Sequence, residues 1–158
     1  KIAFSDGMKF EILPAFVTYG WNGIIYKYPD TNMGGNWRST NPKAEQDAMR
    51  DKNKSSNGLL FDTCKHMRYI RDNYFKSYYL SGIVIDSFVY AAIKNWRWTS
   101  PEESSSAAEP GEYEKLLYDY YLYNLRFSNT INAPGSNDYV DVSSSKDCLE
   151  KVLLKMCK

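Results

Sequence analysis

Glu11 is the side chain of greatest chemical interest in the 158-residue sequence. It interrupts the apolar run Phe10-Glu11-Ile12-Leu13-Pro14. On an extended chain side chains alternate between faces, so Lys9, Glu11 and Leu13 point away from Phe10 and Ile12. By pattern alone, a carboxylate there belongs to the solvated face of an antiparallel sheet. A second cluster is basic. On a helix through residues 60–74, Lys65, Arg68 and Asp72 share a flank beside the apolar stripe. The plain reading is a solvated face with Arg68 paired to Asp72. Arginine can also grip phosphate oxygens with two parallel hydrogen bonds, which gives one such side chain leverage over an anionic ligand. Ser81 begins the next helix, where its simplest task is an N-cap. Asp86, beside the apolar stripe of that helix, is expected to pair with an arginine.

Other constellations carry less. Gly135-Ser136 followed by Asp138 and Asp141 has turn flanks and lies after the helices, so no catalytic role is expected for either acid. His66 is the sole histidine, which excludes a Ser/His/Asp set with a placed partner and fits packing or surface better than metal ligation. Gly34-Gly35 leads to Trp37 without the lysine or spacing of a phosphate-cradling loop. Tyr113, Tyr118, Tyr120, Tyr121 and Tyr123 crowd one segment. Tyrosines at helical spacing are core residues whose hydroxyls reach the rim. One of them, or Tyr78 or Tyr79, is a candidate for stacking on a base, and spacing does not choose among them.

The elements that position these residues change character along the chain. Met8 to Leu13 alternates as a strand and Pro14 ends it, since proline cannot donate to a ladder. Gly23 to Tyr28 reads as a second extended segment after a turn region at 19–23. Residues 29–41, with Gly34, Gly35 and several asparagines, read as a loop. Then the apolar period shifts from 2 to about 3.6. Asn41-Pro42 is a cap-and-proline helix start, and Pro42 to about Asn53 is a polar helix. Leu60, Thr63, Met67, Ile70 and Tyr74 mark a second helix. Ile85, Phe88, Val89, Ala92, Ile93 and Trp96 mark a third. Residues 99–111 read as a solvated loop. Tyr113, Leu116, Leu117, Tyr120, Asn124 and Phe127 mark a fourth helix, and 133–142 is rich in turns. Ser144 with Asp147 resembles a capping box opening a last helix that turns Leu149, Val152, Leu153 and Met156 inward. The predicted class is α+β: short antiparallel strands, then a five-helix lobe.

Composition bounds the function. Twenty basic residues against 19 acidic ones leave a net charge of +1, which argues against a surface built throughout for nucleic acid without excluding a local basic patch. At 43% hydrophobic residues the chain is not of disordered composition. No apolar run approaches the length of a membrane span, and no secretion signal is visible in the first residues. Cys64, Cys148 and Cys157 lack metal-ligand spacing and read as reduced thiols of a cytoplasmic protein.

The string Phe10-Glu11-Ile12-Leu13-Pro14-Ala15-Phe16 resembles the third-carboxylate strand of a nucleotidyltransferase branch. That branch contains the oligoadenylate synthetases, cyclic-GMP-AMP synthase and the bacterial SMODS, or CD-NTase, group. Further resemblances follow in family order: Trp37-Arg38-Ser39-Thr40-Asn41-Pro42, Cys64-Lys65-His66-Met67-Arg68-Tyr69, and Ala133-Pro134-Gly135-Ser136-Asn137-Asp138. The resemblance implies metal-dependent transfer of nucleotides from NTPs into a cyclic or short linear oligonucleotide messenger, in signalling against phage. It implies that residues 1–40 are the last strands of the catalytic palm and 41–158 the helical nucleotide-binding lobe. Glu11 would be the third of three carboxylates holding Mg²⁺, since hard cations favour carboxylate oxygens. The family more often has Asp there. Arg68, or Lys65 one turn earlier, would lie over the nucleotide's phosphates, and Ser81 would reach the β- and γ-phosphates.

The sequence departs from the family in one large respect. The Asp-x-Asp pair that follows a Gly-Ser helix start, and precedes the third carboxylate, does not occur in it. The expectation is therefore a C-terminal portion, inactive alone, whose partner is the upstream part of the same enzyme. The competing expectation is a non-catalytic helical module for interaction or nucleotide sensing, with Glu11 a surface acid. An RNA-modifying terminal transferase is a third reading, and would need a basic face.

Overall fold

The computed structural model describes residues 2–3, 9–10, 14–20, 23–30, 36–106 and 108–158. Among the described residues the architecture is α+β, with short antiparallel strands and five α-helices. The chain divides into two compact units, Lys1–Pro42 and Lys43–Lys158.

The first unit is built of strands. β1 (Ile2–Ala3) pairs antiparallel with β2 (Lys9–Phe10), Ile2 opposite Phe10. β3 (Phe16–Gly20), β4 (Gly23–Asp30) and β5 (Asn36–Thr40) form a three-stranded antiparallel sheet in that order. β3 and β4 are rich in aromatic and β-branched residues, which suit a pleated surface. Their ladder runs from Phe16 opposite Lys27 to Gly20 opposite Gly23. Pro29 lies past the end of that ladder and opposite Trp37 of β5. A proline's missing donor is tolerated where pairing ends. β5 corrects the sequence reading, which placed 36–40 in a loop. Its polar sequence Asn-Trp-Arg-Ser-Thr carries no apolar alternation, and pairing with the longer β4 makes it a strand. Glu11 and the rest of the expected strand through Leu13 lie outside the described residues.

The second unit is helical. Its helices are α1 (Pro42–Ser55), α2 (Leu59–Tyr74), α3 (Gly82–Ala92), α4 (Glu112–Tyr120) and α5 (Lys146–Met156). A two-stranded ladder, β6 (Thr130–Asn132) with β7 (Tyr139–Asp141), separates α4 from α5. α3 is the centre of the core: Val84, Ile85, Phe88, Val89, Ala92 and Ile93 are fully buried. Around them close Leu60 and Met67 of α2, Leu117 of α4, and Leu149, Val152 and Leu153 of α5. α1 buries nothing fully, in keeping with its polar sequence.

Three boundaries differ from the periodicity, each for a local reason. α3 ends at Ala92 rather than running to Trp96, because Lys94 takes a left-handed conformation (φ 49°). Trp96 then leaves the α3 stripe and sits against Tyr113, ring centroids 5.4 Å apart. α4 passes into a π-helical turn over Tyr121–Leu125. That wider turn changes which face looks inward, so Tyr121 and Leu125 are buried while Asn124 and Phe127 are exposed. Ser144 does not cap α5. The N-cap residue is Ser145, at the end of a 3₁₀ turn. Its hydroxyl makes no cap bond and instead accepts the Ser81 backbone N–H at 3.3 Å.

The turn between β6 and β7 rests on α1. Gly135 has φ +69°, and a Cβ there would lie 2.4 Å from the Ala44 carbonyl oxygen and 2.8 Å from the Ala48 Cβ. Ser136 donates to Glu45 Oε1 at 3.0 Å across the same contact. Burial, relieved in part by that hydrogen bond, raises the Glu45 carboxyl above its usual value, and the nearby Asp138 charge adds to the rise. Gly135, Ser136 and Asp138 thus fasten a turn to a helix.

Candidate functional site at the start of α3

α2 meets the first turn of α3, and that junction brings Arg68 and Ser81 together. Residues 75–81 join the helices. Ser81 is the N-cap of α3, with extended backbone (φ −74°, ψ 152°) and its Oγ accepting the Val84 N–H. The cap is stretched, at 3.4 Å. The cap uses the Ser81 hydroxyl as an acceptor, so that bond does not consume its proton. The exposed amides and aligned dipoles of a helix N-terminus favour negative charge.

Arg68 reaches α3 from α2. Its Nη2 donates to both carboxylate oxygens of Asp86, each at 2.8 Å, and lies 3.4 Å from the Gly82 carbonyl. The side chains are about a third exposed, at 33% and 28%. Burial opposes the Arg68 charge, but Asp86 outweighs it and holds the guanidinium pKa above its usual value. Cys64, buried beside the pair, has its thiol pushed up to about 12, first by burial and then by the Asp86 charge.

The expected Arg68–Asp72 pair is not formed. Asp72 belongs to Arg71, whose Nε donates to Oδ1 at 2.7 Å and whose Nη2 donates to Oδ2 at 3.2 Å. Arg68, Arg71 and Asp72 show why spacing misled: Arg71 is adjacent to Asp72 and bends alongside it, while Arg68 finds Asp86 across the helix interface. The predicted pairing of Asp86 with an arginine of the lobe is present. Lys65 stands apart. Its Nζ lies 3.7 Å from Asp62, with both side chains mostly in solvent.

Arg71 is the residue the sequence reading overlooked. Its Nη1 donates to the Leu80 carbonyl at 2.9 Å, immediately before Ser81. It also lines a cleft of about 260 Å³ with Asp72, Phe75, Lys76, Tyr78 and Tyr79. Tyr79 is 64% exposed. Tyr78 carries the Lys151 ammonium 4.9 Å from its ring centroid. Basic side chains beside exposed aromatic faces suit an anionic ligand that also has a flat ring. The i, i+3 spacing of Arg68 and Arg71 on α2 is the signal that brings both guanidinium groups to one helix start. Among the described residues no group of three His, Cys, Asp or Glu could hold a metal ion. Among the described residues no helix is long and apolar enough to cross a membrane.

Comparison with known families bears on the first unit and α1. Residues 2–53 match the family model of the Second Messenger Oligonucleotide or Dinucleotide Synthetase domain. The matched segment contains Glu11 and runs from β1 into α1. It covers about a third of the chain and supports an SMODS-like relationship, that of a nucleotidyltransferase-like family of second-messenger synthetases. No curated protein and no solved structure matches.

Proposed function

We propose, from this SMODS-like relationship, that the chain supplies the third-carboxylate strand and the helical lobe of a metal-dependent nucleotidyltransferase. The enzyme would join NTPs into a cyclic or short linear oligonucleotide messenger, acting in the cytoplasm in defence against phage. In each transfer a ribose hydroxyl oxygen bonds to the α-phosphorus of an NTP, the α–β bridge bond breaks, and pyrophosphate leaves. The family match across Glu11 is the observation that carries this reading.

The residue roles follow from the resemblance and from the α2–α3 junction. Glu11 is the acid assigned to Mg²⁺, together with carboxylates that the 158 residues do not supply as an Asp-x-Asp pair. Magnesium bound there would lower the cost of charge building on the reacting phosphate. Ser81 and the first turn of α3 would receive the β- and γ-phosphates. Arg68 would be a positioning residue for that turn through Asp86, and Arg71 with Lys76 would meet phosphate charge directly. Lys65, in solvent and a turn away, is the weaker candidate.

The test uses the protein from its full reading frame, with Mg²⁺ and labelled NTPs. The expected result is pyrophosphate release and oligonucleotide products resistant to phosphatase, both abolished in Glu11→Ala. An intact protein that releases no pyrophosphate overturns the reading. A second reading, a nucleotide-sensing module, is favoured by one observation: Arg68 and Arg71 are each neutralised by an aspartate of the chain. NTP binding without turnover, unchanged by Glu11→Ala, would select it.

A further inference from the structure

A different cleft lies where the segment leaving α3 meets the start of α4. It measures about 280 Å³, many times the roughly 30 Å³ that one liquid water occupies. Trp96, Trp98 and Tyr113 supply aromatic walls, and Glu109, Glu114 and Arg97 supply charge.

The walls are fixed before any ligand arrives. The indole N–H of Trp98 donates to Asp62 Oδ2 at 3.0 Å. Its backbone N–H donates to the Ser56 carbonyl at 3.1 Å, and its own carbonyl accepts from Asn57 Nδ2 at 2.8 Å. One bond to α2 and two to the α1–α2 connection thus hold a tryptophan that remains 52% exposed. Its indole N–H is satisfied by Asp62. Trp96 and Tyr113 brace one another, and the Tyr113 hydroxyl is 2.8 Å from Thr63 Oγ1.

The charge is one-sided. Arg97 is neutralised by Glu103, Nη2 to Oε1 at 2.6 Å. Glu109 and Glu114 make no ion pair among the described residues, and they face the same aromatic walls. The electron-rich faces of indole and phenol attract cations, and carboxylates beside them add to that field. A phosphate or nucleotide is repelled by the same arrangement.

We infer that this cleft binds an organic cation of the alkylammonium or guanidinium class, seated against Trp98 and Trp96 and countered by Glu109 and Glu114. The ligand is either a free amine or the side chain of a basic partner. The site is independent of the nucleotide reading, since it shares no residue with the α2–α3 junction.

The experiment follows the tryptophan indole resonances of the ¹⁵N-labelled chain during titration with choline, spermidine and N-acetylarginine amide. The neutral choline isostere 3,3-dimethylbutan-1-ol is the control. The expected result is saturable movement of the Trp96 and Trp98 signals with at least one cation, while Trp37 stays still. Preference for choline or spermidine identifies a free amine, and preference for the arginine amide identifies a partner side chain. Glu109→Gln with Glu114→Gln should weaken binding about tenfold, and Trp98→Ala should weaken it by about the same factor. The glutamine pair lies on the surface and keeps the inference testable if Trp98→Ala does not fold. Absence of saturable movement with all three cations, or equal movement with the neutral alcohol, would overturn it.

Discussion

A single guanidinium nitrogen of Arg68 lies 2.8 Å from both oxygens of Asp86, joining α2 to α3 across the helix interface. Partly withdrawn from solvent, this pair is a structural brace as well as part of the candidate phosphate site. Removing one partner leaves the other charge without compensation, at a cost of several kcal/mol when fully buried and less at partial exposure. Arg68→Ala and Asp86→Ala should each lower unfolding free energy by about 1–2 kcal/mol. In chemical denaturation the double variant should lose much less than the sum, because the stranded charge is gone. Additive losses would mean that the pair does not couple.

Ser87 presents the opposite case. It is fully buried on α3, and its Oγ has no hydrogen-bond partner among the described residues. A buried hydroxyl without a partner costs free energy that alanine does not, while the helix favours alanine over serine. Ser87→Ala should leave stability unchanged or raise it by about 1 kcal/mol. A loss of more than that on denaturant titration would show that the hydroxyl is bonded in solution.

Much of the lobe was legible because its helices are amphipathic around one apolar centre. Leu60, Met67, Phe88, Val89 and Leu149 are inward both by period and in the structure. What escaped the period was set by single residues or by pairing at a distance. The left-handed Lys94 cut α3 short, and the π-helical turn after Tyr120 exchanged Asn124 and Phe127 for Tyr121 and Leu125. β5 owes its strand to β4, which no local pattern encodes. The same limit applies at the candidate site. Ser81 and Arg68 could be singled out by residue type, yet Arg68's partner lies 18 positions away and Arg71's contact with Leu80 depends on how the chain turns between the helices. Glu11, outside the described residues, rests on resemblance and on the family match.

Alkaline pH should loosen the lobe through Cys64 and Tyr113. Burial pushes the Cys64 thiol from its usual 9.0 up to about 12, and the Tyr113 hydroxyl from 10.0 up to about 12. Both groups are raised in the folded protein, so the unfolded chain loses these protons first. The stability they contribute is complete below pH 9.0 and is lost as pH rises from 9.0 toward about 12. Melting temperature measured from pH 7 to 11 should fall above pH 9. A Cys64→Ala, Tyr113→Phe double variant should show a shallower fall, and an unchanged slope would mean that other groups control it. Exposed Cys157 should react with a thiol reagent in the folded protein, whereas buried Cys64 and Cys148 should react only on unfolding.

The last prediction concerns the turn that rests on α1. Gly135 is left-handed, and its missing side chain lets the Ala44 carbonyl approach. Alanine there meets both difficulties at once. A positive φ costs a residue with a Cβ about 1 kcal/mol, and a contact of 2.4 Å with a backbone oxygen forces the turn and the helix apart. Gly135→Ala should therefore destabilise the lobe by more than about 2 kcal/mol. It should also loosen the Ser136–Glu45 bond that spans the contact. Ala48→Gly, which removes the Cβ that would otherwise sit 2.8 Å away, should recover little, because the Ala44 oxygen still blocks the new methyl group. Hydrogen exchange at the amides of α1 is the discriminating measurement. Faster exchange confined to the first half of α1 is the expected outcome, and a Gly135→Ala protein with wild-type exchange there would show that the turn does not hold the helix.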